Sequence, residues 1–280
     1  MHWRCRDFSI DLSKPIVMGI LNVTPDSFSD GGRYANVEAA LQRAERIAAE
    51  GAVIIDVGGE SARPGALPVA EDVEMARVLP VIEAIAARLK IAISIDTSKP
   101  AVMAAALGAG ACIVNDIRAL RVPGARDCAA QFRAGVCLMH MQGDPSTMQA
   151  RPHYNDNDVT GEVSAFLRSE VAACRAAGIA ADAIAVDPGI GFGKTLEHSL
   201  TLLRDLPRLA ALQLPLLVGV SRKSVIGRIL GKDIHERLYG ALGLAALAVS
   251  RGAHIIRTHD VGATCDAVRC VNAVLQGSEN

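Results

Sequence analysis

Apolar and polar residues alternate along this chain in two distinct patterns. Eight short apolar runs rich in β-branched residues are separated by Ala-rich stretches whose apolar positions return every three or four residues. The first pattern is typical of buried strands and the second of amphipathic helices. The sequence thus predicts eight strands, at residues 16–21, 53–57, 91–95, 112–114, 135–139, 183–186, 216–220 and 253–256.

The spacing of these strands indicates their direction and the fold class. Successive strands begin 21 to 48 residues apart, which leaves room for the dozen or more residues of a parallel crossover. Such an α/β chain either stays open as a doubly wound sheet or closes as a barrel. The count of eight and the lack of a composition break favour a TIM (β/α)8 barrel. We predict a single domain over residues 1–280, with residues 1–14 as a short N-terminal extension before the first barrel strand.

Every predicted strand ends in a polar group. In both candidate folds ligands bind beyond the carboxyl ends of the strands, and a barrel brings all of those ends around one mouth. The sequence therefore predicts one polar site at the mouth. The strand-end residues are Asn22, Asp56, Asp96, Asn115, His140, Asp187, Ser221, Lys223, Arg257 and His259.

Three of these strand ends carry an aspartate, at Asp56, Asp96 and Asp187. Each one alone is equally well explained as a helix N-cap or a turn former. Together with the amides of Asn22 and Asn115, the three carboxylates suit a planar, nitrogen-rich heterocycle, because a carboxylate accepts two parallel N–H bonds.

Cations follow the last two strands. Arg257 and His259 are two residues apart, and we interpret them with Arg63 as a site for phosphate or pyrophosphate. Lys223 and Ser224 stand at a strand-to-helix junction, which indicates an anion site, simple helix capping, or a Schiff-base lysine as in a barrel aldolase.

Two loops contain further candidates. In "NVTPDSFSDGG", residues 22–32, Phe28 is a large apolar residue between turn signals, typical of an ordinary turn or of a lid that closes over a ligand. The stretch "GIGFGK", residues 189–194, resembles a phosphate loop only weakly, because the full P-loop spacing is missing.

Charge and cysteine content narrow the class of protein. A formal net charge of -1 argues against a nucleic-acid-binding surface. Seven cysteines without a C-x-x-C pair are typical of reduced thiols. No signal peptide or membrane segment is apparent, so we expect a cytoplasmic protein that binds small molecules, with no membrane or nucleic-acid partner.

Eight blocks of the sequence, in order, carry a family resemblance. They read "MGILNVTPDSFSDGG", "IDVGGESARPGA", "ISIDTSKP", "VNDI", "LMHMQGDPSTMQ", "DPGIGFGKT", "GVSRKS" and "RTHDV". Together they resemble the dihydropteroate synthase family of pterin-binding TIM barrels over nearly the whole chain. The resemblance implies a transferase of folate biosynthesis, the target of sulfonamides. Such an enzyme joins 6-hydroxymethyl-7,8-dihydropterin pyrophosphate to p-aminobenzoate and releases pyrophosphate.

The resemblance also implies a role for each matched residue. The residues expected to bind the pterin are Asp56, Asp96, Asn115, Met139, Asp187, Phe192 and Lys223. Phe28, Arg63, Pro64 and Ser224 are expected around p-aminobenzoate, and Asn22, Arg63, Arg257 and His259 around the pyrophosphate. The implied metal is Mg2+, held through Asn22. The catalytic set is Asp96, Asn115, Asp187, Lys223, Arg257 and His259.

One departure and two alternatives accompany this interpretation. Ala62 stands where the family usually has Ser or Thr, so a hydroxyl contact of the second loop is missing or replaced. A pterin-dependent methyltransferase shares the pterin barrel but needs no anion site, and a noncatalytic pterin-binding barrel needs no chemistry. The family is usually dimeric, and the Ala-rich helices near 195–210 and 235–250 are more apolar than one barrel requires, so we expect a homodimer.

Overall fold

The structure, a computed structural model, describes residues 1–24, 33–61, 67–155 and 158–277. It begins with two short strands and continues with eight further strands, each close to a predicted position and with ends shifted by at most two residues. The strands are β1 (His2–Cys5), β2 (Phe8–Asp11), β3 (Ile16–Asn22), β4 (Ile54–Gly58), β5 (Ala92–Asp96), β6 (Ile113–Asp116), β7 (Gly135–Met139), β8 (Ile184–Asp187), β9 (Leu217–Gly219) and β10 (Ile255–Thr258).

The eight strands from β3 to β10 form one parallel sheet, and its order closes it into a barrel. The order is β8-β7-β6-β5-β4-β3-β10-β9, so β3 and β10, the first and last of these strands along the chain, are neighbours. The remaining gap between β8 and β9 is closed at one point, where Val186 pairs with Leu216 in parallel. The prediction of a TIM barrel is therefore confirmed.

Helices follow the strands and cover the outside of the barrel. They are α1 (Arg33–Ala49), α2 (Glu71–Arg88), α3 (Pro100–Gly108), α4 (Ala125–Gln131), α5 (Val159–Ala176), α6 (Leu196–Arg204), α7 (Leu206–Ala210), α8 (Ser224–Leu230), α9 (Leu238–Ser250) and α10 (Val261–Gln276). Within the described ranges, each helix is too short or too polar to cross a bilayer.

The barrel strands are buried on both faces, which explains why they are nearly continuous apolar runs. Side chains such as Ile55, Val114 and Val186 face outward and join the large core shared with the helices. Their neighbours in sequence, such as Ile54 and Ile113, face inward and form a separate apolar layer at the amino-terminal end of the barrel. Because the side-chain period is two, the next inward position on several strands is the polar strand end.

The N-terminal extension is a β-hairpin in which β1 and β2 pair antiparallel. Its inward side chains Trp3, Cys5, Ile10 and Leu12 are buried against the apolar layer of the barrel interior. The indole Nε1 of Trp3 donates a hydrogen bond to the Ala183 carbonyl at 3.0 Å, just before β8. The segment predicted only as an extension thus plugs the amino-terminal end of the barrel. Two four-residue strands gave too short an alternation to identify the hairpin from sequence.

This packing predicts that Trp3→Ala lowers the free energy of unfolding by about 3–5 kcal/mol, because it opens a cavity and leaves the Ala183 carbonyl unpaired. Urea unfolding would measure the change, with Phe8→Ala as the control. Phe8 lies on the same hairpin but is 37% exposed, so its removal should change stability by less than about 1 kcal/mol. Equal effects of the two substitutions would contradict the role of the hairpin as a plug.

Candidate active site

The register of the sheet brings the predicted polar residues into common layers at the barrel mouth. Across neighbouring strands, Asn22 pairs with Gly58, Gly58 with Asp96, and Asp96 with Asn115. Asn22, Asp96 and Asn115 therefore lie in one row. Asp56 is two residues before Gly58 on β4, so it lies one layer deeper on the same inward face.

Arg257 on β10 joins two of the aspartates across the barrel interior. Its Nε donates to Asp56 Oδ2 at 2.6 Å, and its Nη2 donates to Asp96 Oδ2 at 2.7 Å. Asn115 Nδ2 donates to the same Asp56 oxygen at 3.1 Å. The other oxygen of Asp56, Oδ1, is buried and has no hydrogen-bond partner among the described residues. The cluster thus contains a buried acceptor with unused capacity.

Burial controls the protonation of this cluster. It raises the pKa of Asp96 to about 7; the charge of Asp56 acts in the same direction, and that of Arg257 opposes it. The two carboxylates in turn raise the pKa of Arg257 above its usual value, although burial acts against them. The guanidinium is therefore permanently charged, and Asp96 is the member of the cluster that titrates near neutral pH.

Asp187 and Lys223 form a second polar group on the opposite side of the mouth. Asp187 Oδ1 accepts the backbone N–H of Gly189 at 2.7 Å, and burial raises the pKa of its carboxyl. Lys223 Nζ donates to the Ile190 carbonyl at 2.6 Å. Burial lowers the pKa of Lys223 to about 8, and the charge of Asp187 partly opposes the shift.

Apolar side chains lie beside these polar groups. Met139, at the end of β7, is buried in a small cluster with Met141 and Met148, against which Phe192 packs. The Nζ of Lys223 lies 4.9 Å from the centre of the Phe192 ring, within the range of a cation–π interaction. The mouth therefore combines hydrogen-bonding groups with flat or flexible apolar surfaces, which is the composition of a heterocycle pocket.

The predicted anion group surrounds the ends of β9 and β10. Ser221 Oγ lies 3.0 Å from His259 Nδ1 and also accepts the His259 backbone N–H at 3.2 Å, so it fixes both the ring and the backbone. Arg222 is paired with Asp260 at 2.6 Å. Ser224 is exposed at the first residue of α8. The sequence analysis placed Ser221 and His259 at separate strand ends of the polar site and did not predict their contact, because the two residues follow different strands.

The described residues contain no group of three or more His, Cys, Asp or Glu side chains that is able to hold a metal ion. Asn22 offers one amide oxygen at the end of β3. Mg2+ is commonly bound through one or two protein oxygens together with substrate phosphates. The donor set fits Mg2+ that arrives with a phosphate-bearing substrate, and it does not fit a permanently bound ion.

A third charged group was missed by the sequence analysis. Lys99, just before α3, is paired with Glu60 and, at 2.5 Å, with Glu74, whose side chain is fully buried in α2. The two carboxylates raise the pKa of Lys99 and outweigh its burial. The group ties the segment after β4 to two helices. No short motif indicates it, because its members are 14 and 25 residues apart in sequence.

Three predicted site residues, Phe28, Arg63 and Pro64, lie outside the described residues, as does Ala62. Their roles stay predictions. The structure does bring the remaining predicted residues to one end of the barrel. The guanidinium of Arg257, which was predicted to bind an anion, is bound between two carboxylates that were assigned to the heterocycle.

Comparison with known proteins identifies relatives of the whole chain. Residues 18–259 match the family model described as "Pterin binding enzyme". Dihydropteroate synthase of Escherichia coli K12 is 52% identical over 272 residues, which are 97% of this chain and 96% of the relative. The crystal structure of Yersinia pestis dihydropteroate synthase in a sulfonamide drug complex has a TM-score of 0.93, at 48% identity over 99% of this chain and 100% of that one. Dihydropteroate synthase from Xanthomonas albilineans in complex with 7,8-dihydropteroate has a TM-score of 0.90, at 44% identity over the same two shares.

The buried cluster predicts a pH-dependent effect of Arg257→Met. Without the guanidinium, Asp56 and Asp96 face each other uncompensated, which should destabilise the fold by about 3–5 kcal/mol at pH 8. The loss should be smaller at pH 5. Because the folded-state pKa of Asp96 lies above its unfolded value, the folded state retains a proton there that is lost as the pH rises through about 7.

Urea unfolding at the two pH values would measure the effect. The control is Arg208→Met, which removes the exposed pairs to Asp205 at 3.2 Å and Asp158 at 3.6 Å and should change stability by less than about 1 kcal/mol. An Arg257→Met loss that is the same at pH 5 and pH 8 would contradict the coupling of Arg257 to Asp96.

Proposed function

The chain belongs to the pterin-binding enzyme family, and we propose that the side chains at its barrel mouth carry out dihydropteroate synthesis in the roles given below. Its function is that of a dihydropteroate synthase, a transferase of folate biosynthesis. The enzyme condenses 6-hydroxymethyl-7,8-dihydropterin pyrophosphate with p-aminobenzoate to give 7,8-dihydropteroate and pyrophosphate. The observation that carries the residue assignment is the buried layer of carboxylates and amides beside the Met139 and Phe192 surfaces.

Pterin recognition is assigned to Asp96, Asn115, Asp187 and Lys223. The pterin edge carries adjacent N–H groups, which carboxylates accept, and ring oxygen and nitrogen acceptors, to which Asn115 and Lys223 donate. Asp56 supports the site from the deeper layer, where its unpartnered Oδ1 is available to a ring donor or a water molecule. Asn115 and Asp187 are buried, and Asp96 and Lys223 are half-buried. The geometry supports this arrangement because hydrogen bonds orient these groups before binding.

Pyrophosphate binding is assigned to Arg257, His259 and Arg63, and Asn22 is the residue that would hold Mg2+ when it arrives with the substrate. Two of the five N–H donors of Arg257 bind carboxylates, which leaves donors for the oxygens of the leaving group. Ser221 holds the His259 ring in a fixed orientation beside them. Mg2+, when bound, neutralises part of the negative charge that develops on pyrophosphate.

We propose a dissociative displacement at the pterin methylene group. The C–O bond to pyrophosphate breaks first, because Arg257 and His259 stabilise the negative charge that develops on the leaving oxygens. The electron-rich ring, held by the buried carboxylates, stabilises the cation that remains. The arylamine of p-aminobenzoate then forms the C–N bond and releases its proton to solvent. No strong general base is needed, because the arylammonium formed by the attack is a strong acid and gives its proton to water.

The p-aminobenzoate site is assigned to Ser224 and to the loops that carry Phe28 and Pro64. Ser224 is exposed at the start of α8, next to Lys223, where its hydroxyl and neighbouring N–H groups suit a carboxylate. A pterin-dependent methyltransferase would need neither this site nor an anion group. The relatives reported above, which share about half of the residues over nearly the full chain, favour the synthase.

We also propose a homodimer and a cytoplasmic location. Four apolar side chains, Ile229 and Leu230 on α8 with Tyr239 and Leu247 on α9, are exposed on the packed α8–α9 pair; they define the α8–α9 patch. Tyr239 is 79% exposed, an unfavourable position for a large aromatic unless another surface covers it.

All seven cysteines are unpaired, which agrees with a reducing compartment such as the cytoplasm.

Pyrophosphate release from the dihydropterin pyrophosphate should depend on p-aminobenzoate and yield dihydropteroate. Slow release without p-aminobenzoate would support departure before attack, and omission of Mg2+ should slow turnover. Asp96→Asn should lower kcat/KM at least about 100-fold, because the amide presents a donor to the ring N–H groups.

The control is Asp182→Asn, which removes a remote, exposed pair with Arg4 at the amino-terminal end of the barrel. Equal losses for the two variants would contradict the role of Asp96. A wild-type protein that binds pterin tightly but releases no pyrophosphate would instead favour the noncatalytic barrel or the methyltransferase.

The homodimer proposal predicts that Tyr239→Glu converts the protein to monomers. A charge in the centre of an apolar interface opposes association by several kcal/mol. Light scattering at micromolar concentration would measure the mass, with Val274→Glu as the control, since Val274 on α10 is 83% exposed but outside the α8–α9 patch. Wild-type protein that is monomeric under these conditions would contradict the proposal.

A further inference from the structure

The segment 190–193, which follows β8 and includes Phe192, is held by side chains in an unusual way. Four consecutive carbonyl oxygens each accept a hydrogen bond from a different side chain. Lys223 donates to Ile190, Gln149 to Gly191, Lys194 to Phe192 at 3.0 Å, and Tyr154 to Gly193 at 2.9 Å. Each carbonyl of this irregular segment thereby has a side-chain donor.

Lys194 makes two further contacts with the loop after β7, the loop that also carries Gln149 and Tyr154. Its Nζ lies 2.9 Å from His140 Nδ1 and donates to the His140 carbonyl at 3.3 Å, so the amino group has three hydrogen-bond partners in all. Burial and the charge of Lys194 lower the pKa of His140 to about 3, so the imidazole is neutral and presents a lone pair. His140 directly follows Met139 in sequence. Lys194 therefore connects the backbone beside both apolar walls of the pocket.

The packing between the two loops leaves no room for adjustment. Gly189 and Gly193 have positive φ values of 66° and 59°, and a Cβ atom at either position would clash with the carbonyl oxygen of His140 or Gln142 respectively. The loops are in backbone-to-backbone contact at these points. A shift of one loop therefore displaces the other.

Stability alone does not account for a lysine at this position. Lys194 is 2% exposed, and among the described residues no carboxylate lies within 4 Å of it. Burial lowers its pKa well below the usual value. A buried amine with only neutral acceptors costs free energy, and an apolar residue of similar shape is often at least as stable. The function of the loop offers the reason for keeping it.

We propose that Lys194 is a positioning residue that sets the distance between the Met139 and Phe192 walls of the pterin pocket. It makes no contact with the reacting atoms and acts through the carbonyls of His140 and Phe192. The Phe192 ring lies under Lys223, so Lys194 also determines where that ammonium sits. The inference rests on the pterin role proposed above for these walls.

Lys194→Met tests the proposal, because methionine keeps most of the length and loses every N–H donor. The KM for the dihydropterin pyrophosphate should rise about tenfold, while the KM for p-aminobenzoate should change less than twofold. Lys90→Met, on an exposed lysine at the opposite end of the barrel, is the matched control and should change neither value.

A second readout is independent of activity. With 4-fluorophenylalanine at the five Phe positions, the 19F resonance of Phe192, assigned with Phe192→Leu, should shift in Lys194→Met while those of Phe8 and Phe132 stay in place. A lower melting temperature with an unchanged Phe192 resonance and unchanged KM values would overturn the proposal. An inactive wild type would refute the proposed function and leave the 19F test intact.

Tyr154→Phe covers the case in which Lys194→Met does not fold. It removes only the hydroxyl bound to the Gly193 carbonyl and should raise the KM for the pterin substrate about threefold, with a smaller shift of the same resonance. No change in either readout would contradict the idea that these hydrogen bonds position the Phe192 wall.

Discussion

The guanidinium of Arg257, shared between Asp56 and Asp96, is the interaction on which the polar half of this barrel depends. Two carboxylates in one low-dielectric interior repel each other and lose their hydration. Both effects cost free energy, and a cation between the carboxylates offsets that cost. Arg257 supplies that charge with two donors in fixed geometry, at 2.6 and 2.7 Å. Burial raises the pKa of Asp96 and the charge of Arg257 opposes that shift, while the two donors of Arg257 orient both carboxylates for a ligand with N–H groups.

The two ends of the barrel differ in composition: one end is an apolar core, and the other carries the polar groups of the active site. The amino-terminal end is filled by apolar side chains and closed by the hairpin that carries Trp3, while the inward positions one step along the strands are charged or amide groups. An apolar, tightly packed core at one end of the barrel supports the charged groups at the other end, because the strands run through both. The polar groups on the strand ends are therefore placed by strands that are packed at their other end.

Hydrogen bonds and ion pairs also hold the loops beyond the strand ends. Ser221 orients His259, Lys99 joins two glutamates beneath the segment after β4, and Lys194 joins the loops after β7 and β8. Each of these groups bonds backbone or side chains from a different part of the chain. Preorganised walls and donors suit a reaction whose main requirement is to stabilise charge as pyrophosphate departs.

The sequence by itself determined the eight strands, their parallel direction and the polar residues at their ends. Periodicity and spacing are local properties of the chain, and Asp96 and Asn115 can each be recognised from the apolar run that precedes them. Family motifs extended that information to the reaction. Only the tertiary structure decided that Trp3 closes the barrel, that Arg257 lies between two carboxylates, and that Lys194 bonds His140 and Phe192. Most of these contacts join residues that are far apart in the chain, and Lys194 is a buried lysine with no carboxylate beside it among the described residues. Their existence depends on strand register and barrel closure, which no single segment contains.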